Sequence, residues 1–200
     1  MLWSEHAAAP PALPVPDGDL WVFGYGSLMW DPGFPHDAIV PAEIEGYSRA
    51  FCVRSHGHRG SPVRPGLVVG LQPGGRCRGL AIRAEARHKA SILDYLWRRE
   101  MTLADGYAPQ RVVARLDDGR TIRALTFVAD LEHEAYAGAL SVEQAARRIA
   151  TAEGQRGTNR DYLARTLARL TELGIQDPGL TALGEAVVAL ACRPDPQFPC

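Results

Sequence analysis

The chain has almost no lysine, no apolar run long enough to cross a bilayer, no closely spaced cysteine pair and almost no net charge. Each absence removes a class of function. A membrane span needs about 18 or more consecutive apolar residues. None is present, so no membrane partner is expected. The formal net charge is -1, and arginines alternate with Asp and Glu instead of forming blocks, which leaves no field to attract nucleic acid. Cys52, Cys77, Cys192 and Cys200 are scattered and form no C-x-x-C motif, so a disulfide-stapled scaffold is not expected and a reducing cytoplasm suits the chain best. Residues 1–19 contain Pro10, Pro11, Pro14 and Pro16 and three consecutive alanines, without the basic and apolar stretches of a signal peptide. They are expected to form a disordered leader.

What remains is the composition of an ordinary globule, with 46% hydrophobic and 22% charged residues among 200. One domain over residues 20–193 is expected, followed by a tail over 194–200. Of 22 basic residues all but Lys89 are arginine, which supplies many planar forks suited to carboxylates. A small-molecule partner is expected.

Leu20–Tyr25 crowds aromatic and β-branched residues into a short buried strand that glycines end. Turn signals bound further strands at 42–45, 47–54, 67–71, 77–83, 111–116 and 122–128, the last two joined by the Asp-Gly hairpin of Asp117–Arg120. Between them, residues 85–99 carry apolar side chains on one helical face. The final third is helical: Ser141 caps a helix reaching Glu153, Asn159 caps one reaching Leu173, and a third covers 180–191. Sheet first and helices last predict an α+β fold with a curved or barrel-like sheet.

Three segments have chemical potential. Gly24-Tyr25-Gly26-Ser27-Leu28 follows a strand and forms a tight glycine turn whose N–H groups suit an anion. A dinucleotide fingerprint fails here, because Met29 replaces the third glycine and Pro32 and Pro35 remove the helix that would hold a pyrophosphate. Taken alone, the glycines are better explained as a plain turn. Glu100 ends a helix among aromatic and aliphatic neighbours, a setting that raises a carboxylate's pKa and suits proton shuttling. The competing reading is a solvated helix-end Glu paired with Arg99 or Lys89. Ser55–Pro62 is rich in donors, but His56, His58 and Cys52 make an incomplete metal set, and a cysteine within a strand is usually inert core.

The combination resembles the ChaC family of gamma-glutamylcyclotransferases. Trp21–Trp30 is similar to its opening motif, and Tyr47–Phe51, His58-Arg59-Gly60, Arg64–Val68 and Gly74–Gly79 follow in family order. Tyr95–Glu100 matches the segment ending in the catalytic Glu, and Gly157–Leu163 resembles the late Asn/Tyr motif. The resemblance, over about residues 20–190, implies the family's small mixed β-barrel and a cytoplasmic lyase that cleaves glutathione to 5-oxoproline and cysteinylglycine with no cofactor and no metal. It casts Glu100 as general acid/base and places the gamma-glutamyl end against Val22, Phe23, Gly24, Tyr25, Gly26, Ser27 and Leu28. Arg59 or Arg64 then suits the glycyl carboxylate and Tyr162 a phenolic contact, beside the plain alternative of a helix-packing tyrosine.

Two departures from the family pattern bear on substrate preference: a longer link at Met101–Tyr107, and Ala108 where an Arg is expected before Pro109. The rival readings are a cyclotransferase for other gamma-glutamyl amines, a non-catalytic sensor of a gamma-glutamyl metabolite, and a Cys52-dependent amidase.

Overall fold

A computed structural model of the chain describes residues 18–101 and 106–191. The expected leader up to residue 17, residues 102–105 of the longer link, Cys192 and the tail lie outside the described residues. In chain order the elements are β1 (Leu20–Gly24), β2 (Ala38–Ser55), β3 (Gly66–Ala84), α1 (Lys89–Glu100), β4 (Tyr107–Leu116) and β5 (Thr121–Ala129). Then come α2 (Val142–Thr151), two short strands β6 (Glu153–Gly154) and β7 (Gly157–Thr158), α3 (Asn159–Glu172) and α4 (Pro178–Ala191).

Five strands close into a barrel in the order β1-β3-β2-β4-β5. It is mixed, since β1 runs antiparallel to β3 but parallel to β5. This is the α+β barrel with an inserted helix and a helical C-terminal part that the sequence predicts. The described residues fall into two compact units: one from those up to Arg49 together with those of 71–133, the other from Ala50–Gly70 together with those of 134–191.

In the first unit, strand alternation puts Leu20 and Val22 of β1, Ile82 and Ala84 of β3, and Leu125 and Phe127 of β5 into one apolar cluster with Leu28, Phe34, and Ile92 and Leu96 of α1. That cluster fixes α1 on the barrel and sets where its last turn ends. Gly79 lets β3 approach β1, because a Cβ there would lie 2.3 Å from the Gly24 carbonyl oxygen and 2.8 Å from the Phe23 ring.

The strands are fewer and longer than the turn signals suggest. The pairs expected at 42–45 and 47–54, and at 67–71 and 77–83, are the single strands β2 and β3. Gly46, at φ 85°, and Gly74 and Gly75, at φ 96° and 78°, fall inside them. Glycine at positive φ redirects a strand without ending it.

In the second unit, Ser141 caps α2 in a full capping box: its Oγ accepts from Gln144 N, and Gln144 Oε1 accepts from Ser141 N. The cap of α3 is Thr158, not Asn159: Thr158 Oγ1 accepts from Asp161 N at 3.1 Å. Asn159 is fully buried and turns inward. Its Nδ2 donates to Leu67 O at 2.7 Å, and its Oδ1 accepts from Leu67 N at 2.6 Å. A tertiary partner that satisfies both ends of the amide outcompetes the cap, which a threonine one residue earlier fills instead.

Candidate active site

The opening segment is held from several sides. After β1 the chain folds back into a 3-10 turn at Ser27–Met29, tight enough that a Cβ on Gly24 would come 3.1 Å from Leu28 Cβ. Met29 N donates to Gly26 O at 2.9 Å, and Asp31 N to Ser27 O at 2.9 Å. Thr126 Oγ1 donates to Phe23 O at 2.9 Å, and Tyr25 OH donates to Phe127 O at 2.7 Å. Arg49, itself buried, donates from Nε to Tyr25 O at 2.7 Å and from a second nitrogen to Arg78 O. Val22, Phe23, Tyr25 and Leu28 therefore have their side chains in the core. Of Val22–Leu28 only Ser27 is half-buried; the other residues of the segment are buried.

Glu100 is the last residue of α1. Its Oε1 lies 3.0 Å from Arg99 Nε, and both side chains are largely covered, 18% and 20% exposed. The pairing with Arg99 foreseen for a helix-end Glu is present, but the Glu100 side chain is mostly covered instead of fully solvated. Arg99 also donates from one terminal nitrogen to Ser27 Oγ at 3.0 Å. The other donates to Asp31 O and to Tyr95 OH, each at 2.8 Å. One guanidinium thus joins Glu100 to the opening motif, two segments more than seventy residues apart in sequence.

Arg59, Arg64 and Tyr162 lie in the second unit. The Arg59 guanidinium stacks 5.1 Å above the Tyr162 ring and donates to Arg156 O, while Tyr162 meets Phe51 edge to face at 5.6 Å. Burial, reinforced by Arg165 and Arg156 and opposed by Tyr162 and Asp161, holds the Arg59 guanidinium below its usual range. Arg64 is exposed in the loop between β2 and β3. That loop is knitted closely. A Cβ on Gly60 would meet Gly66 N at 2.0 Å, one on Gly154 would meet Gly57 O at 2.5 Å, and Gln155 N donates to Gly57 O at 2.8 Å.

Cys52 is buried in β2, where desolvation pushes its thiol up to about 12 against a smaller opposing effect of the Gly70 amide. A thiol this far from ionisation is no nucleophile near neutral pH. Among the described residues no group of three or more His, Cys, Asp or Glu is placed to hold a metal ion. No helix among them is long and apolar enough to cross a membrane.

Of two further residues with a part in this geometry, Arg49 was not singled out by the sequence and Arg99 only as an ion-pair partner of Glu100. Both lie inside segments that resemble family motifs, but nothing in their spacing shows that they anchor the opening turn.

The ChaC-like protein family matches residues 20–190. The chain belongs to this family. A glutathione-specific gamma-glutamylcyclotransferase of Escherichia coli is 38% identical over 98% of this chain and 87% of its own length. The human glutathione-specific gamma-glutamylcyclotransferase 1 is 35% identical over 92% of this chain and 86% of its own. Among solved structures, a yeast gamma-glutamylcyclotransferase specific to glutathione superposes with a TM-score of 0.78 at 25% identity, covering 86% of this chain and 97% of that one. The ChaC barrel is therefore matched both in sequence and in backbone.

Proposed function

We infer that this ChaC-family chain is a glutathione-specific gamma-glutamylcyclotransferase, a lyase with Glu100 as its general acid/base. The observation that carries the residue assignment is the position of Glu100: a largely covered carboxylate, linked through Arg99 to Ser27 of the opening turn.

The chemistry needs little more. A gamma-glutamyl group brings its own nucleophile, because its α-amine can reach the γ-carbonyl carbon and close a five-membered ring. Well-oriented intramolecular attack is worth about 7–11 kcal/mol, so no serine or cysteine nucleophile is required. The α-amine is mostly protonated near neutral pH and first gives one proton to solvent; as the free amine attacks, Glu100 takes a second proton from that nitrogen. The new N–C bond forms as the bond from the γ-carbon to the cysteinyl nitrogen breaks. Glu100 returns the proton to that departing nitrogen. Water is not consumed, and the products are 5-oxoproline and cysteinylglycine.

The γ-carbonyl oxygen gains negative charge on the way. We assign its stabilisation to backbone N–H groups of the Tyr25–Leu28 turn, with Gly26 allowing close approach. Since the side chains of Val22, Phe23, Tyr25 and Leu28 are committed to the core, the contribution of Val22–Leu28 to binding runs through main chain and Ser27. Arg59 or Arg64 is proposed for the glycyl carboxylate and Tyr162 for a phenolic contact. Residues 20–193 are taken as one functional domain, acting in the cytoplasm.

The test is incubation of the purified, metal-free protein with glutathione, scored for 5-oxoproline and cysteinylglycine by mass spectrometry, with Glu100→Gln alongside. Both products from wild type, and loss of about 10³-fold or more in the variant, are expected when a single proton-transfer group is removed. Turnover of gamma-glutamyl-alanine but not glutathione would move the substrate. Saturable binding without any product would replace the enzyme by a sensor.

A further inference from the structure

Successive residues on an α-helix point about 100° apart, so adjacent side chains do not face each other by default. The contact of Arg99 Nε with Glu100 Oε1 at 3.0 Å is therefore not a by-product of helix geometry. It forms because the rest of the guanidinium is fixed elsewhere: on Ser27 Oγ, on the Asp31 carbonyl, on Tyr95 OH and, at 3.4 Å, on the Pro32 carbonyl. The Arg99 guanidinium also lies 5.9 Å from the Tyr95 ring centroid, and that ring packs edge-on against Phe34 of the apolar cluster.

The pocket for this arrangement is made by a glycine. Gly33 sits at φ 71°, and a Cβ there would fall 1.9 Å from Tyr95 OH and 3.3 Å from the nearer terminal nitrogen of Arg99. Among the described residues, the contacts that hold Arg99 come from the turn after β1 and from α1, the two segments that must keep a fixed separation if Glu100 is to work against the opening motif.

We propose that Arg99 is a positioning residue for the cyclisation, setting the orientation of the Glu100 carboxylate relative to the Ser27 turn. It does not touch the reacting atoms. This rests on the assignment of Glu100 as general acid/base. A fork with several donors suits the task because it can grip the turn with its terminal nitrogens while Nε holds the carboxylate, which a lysine ammonium cannot reproduce. A misplacement of about 1 Å at a reacting group costs on the order of 10²-fold in rate.

The experiment measures kcat and KM for glutathione in wild type, Arg99→Lys, Arg99→Ala, Glu100→Gln and the double variant Arg99→Ala/Glu100→Gln, with thermal unfolding of each. Expected are a fall in kcat of about 10²-fold for Arg99→Ala with KM little changed, and partial recovery in Arg99→Lys. In the Glu100→Gln background Arg99→Ala should cause no further loss, since its effect passes through the missing carboxylate.

Should Arg99→Ala fail to fold, Arg99→Lys carries the same kcat test. An increase in KM at unchanged kcat, or losses that multiply in the double variant, would overturn the positioning role. Normal kcat in the Arg99 variants with an inactive Glu100→Gln would reject this inference and leave the assignment of Glu100 standing. An inactive wild type, or an active Glu100→Gln, would reject both.

Discussion

Removing the Asn159 carboxamide would leave both the N–H and the C=O of Leu67 without their partner inside the second unit. Each orphaned buried group costs about 1–3 kcal/mol. Asn159→Ala is therefore expected to lower the denaturant midpoint clearly, and a stability within error of wild type would show that water replaces the amide. Cys52 behaves in the opposite sense, because its burial makes it inert. Its thiol titrates at about 12 in the folded chain against an ordinary 9.0, so the folded state holds this proton more tightly than the unfolded one. The resulting stability is fully present below about pH 9 and is lost as pH rises from there toward 12, as the unfolded chain ionises and the folded chain does not. Unfolding free energies measured at neutral pH and above pH 9 should decline, and Cys52→Ala should flatten that decline. At neutral pH, alkylation of Cys52 should wait for unfolding, and glutathione turnover should survive the treatment. Rapid labelling of the folded protein with loss of activity would revive the thiol-dependent amidase.

At the scale of elements, the important contacts are close backbone approaches that a side chain would block. Gly79 lets β3 lie against the end of β1, with the Gly24 carbonyl 2.3 Å from where a Cβ would stand. Backbone cannot yield as a flexible side chain can, so Gly79→Ala should separate β1 from β3 and destabilise the barrel by about 1–3 kcal/mol, the usual range for overpacking. Thermal unfolding measures it, and an unchanged midpoint would mean that the strands part without cost. Gly33→Ala acts on a different property. It combines an unfavourable positive φ with a clash against Tyr95 OH, so it should disturb the Arg99 anchor and reduce kcat more than KM. A variant with full kcat would show that Tyr95 moves aside without disturbing Glu100.

For the whole molecule, binding and turnover are separable through Glu100→Gln, which is expected to hold glutathione without consuming it. Ligand that binds the folded state alone raises stability by about 2.7 kcal/mol at 100 times its Kd, so the melting temperature of this variant should climb steadily with glutathione concentration. No shift at any concentration would place the substrate elsewhere. The sequence by itself determined much of this protein. Strand-forming runs at Leu20–Tyr25 and Arg111–Leu116, the one-faced helix before Glu100 and the helical final third were legible because local propensity and apolar periodicity act over a few residues. The ordered motifs from Trp21 to Leu163 were enough to point to the family. What the tertiary structure alone decided was non-local. Gly46, Gly74 and Gly75 look like strand ends, yet the strands continue through them, since turn propensity is weaker than a long ladder. Asn159 resembles a cap until Leu67 arrives from ninety-two residues away. Arg99 looks like a surface arginine until the packing of Leu28, Phe34 and Leu96 brings Ser27 and Asp31 within reach of its guanidinium, because hydrogen-bond partners are set by three-dimensional proximity and leave no period in the chain.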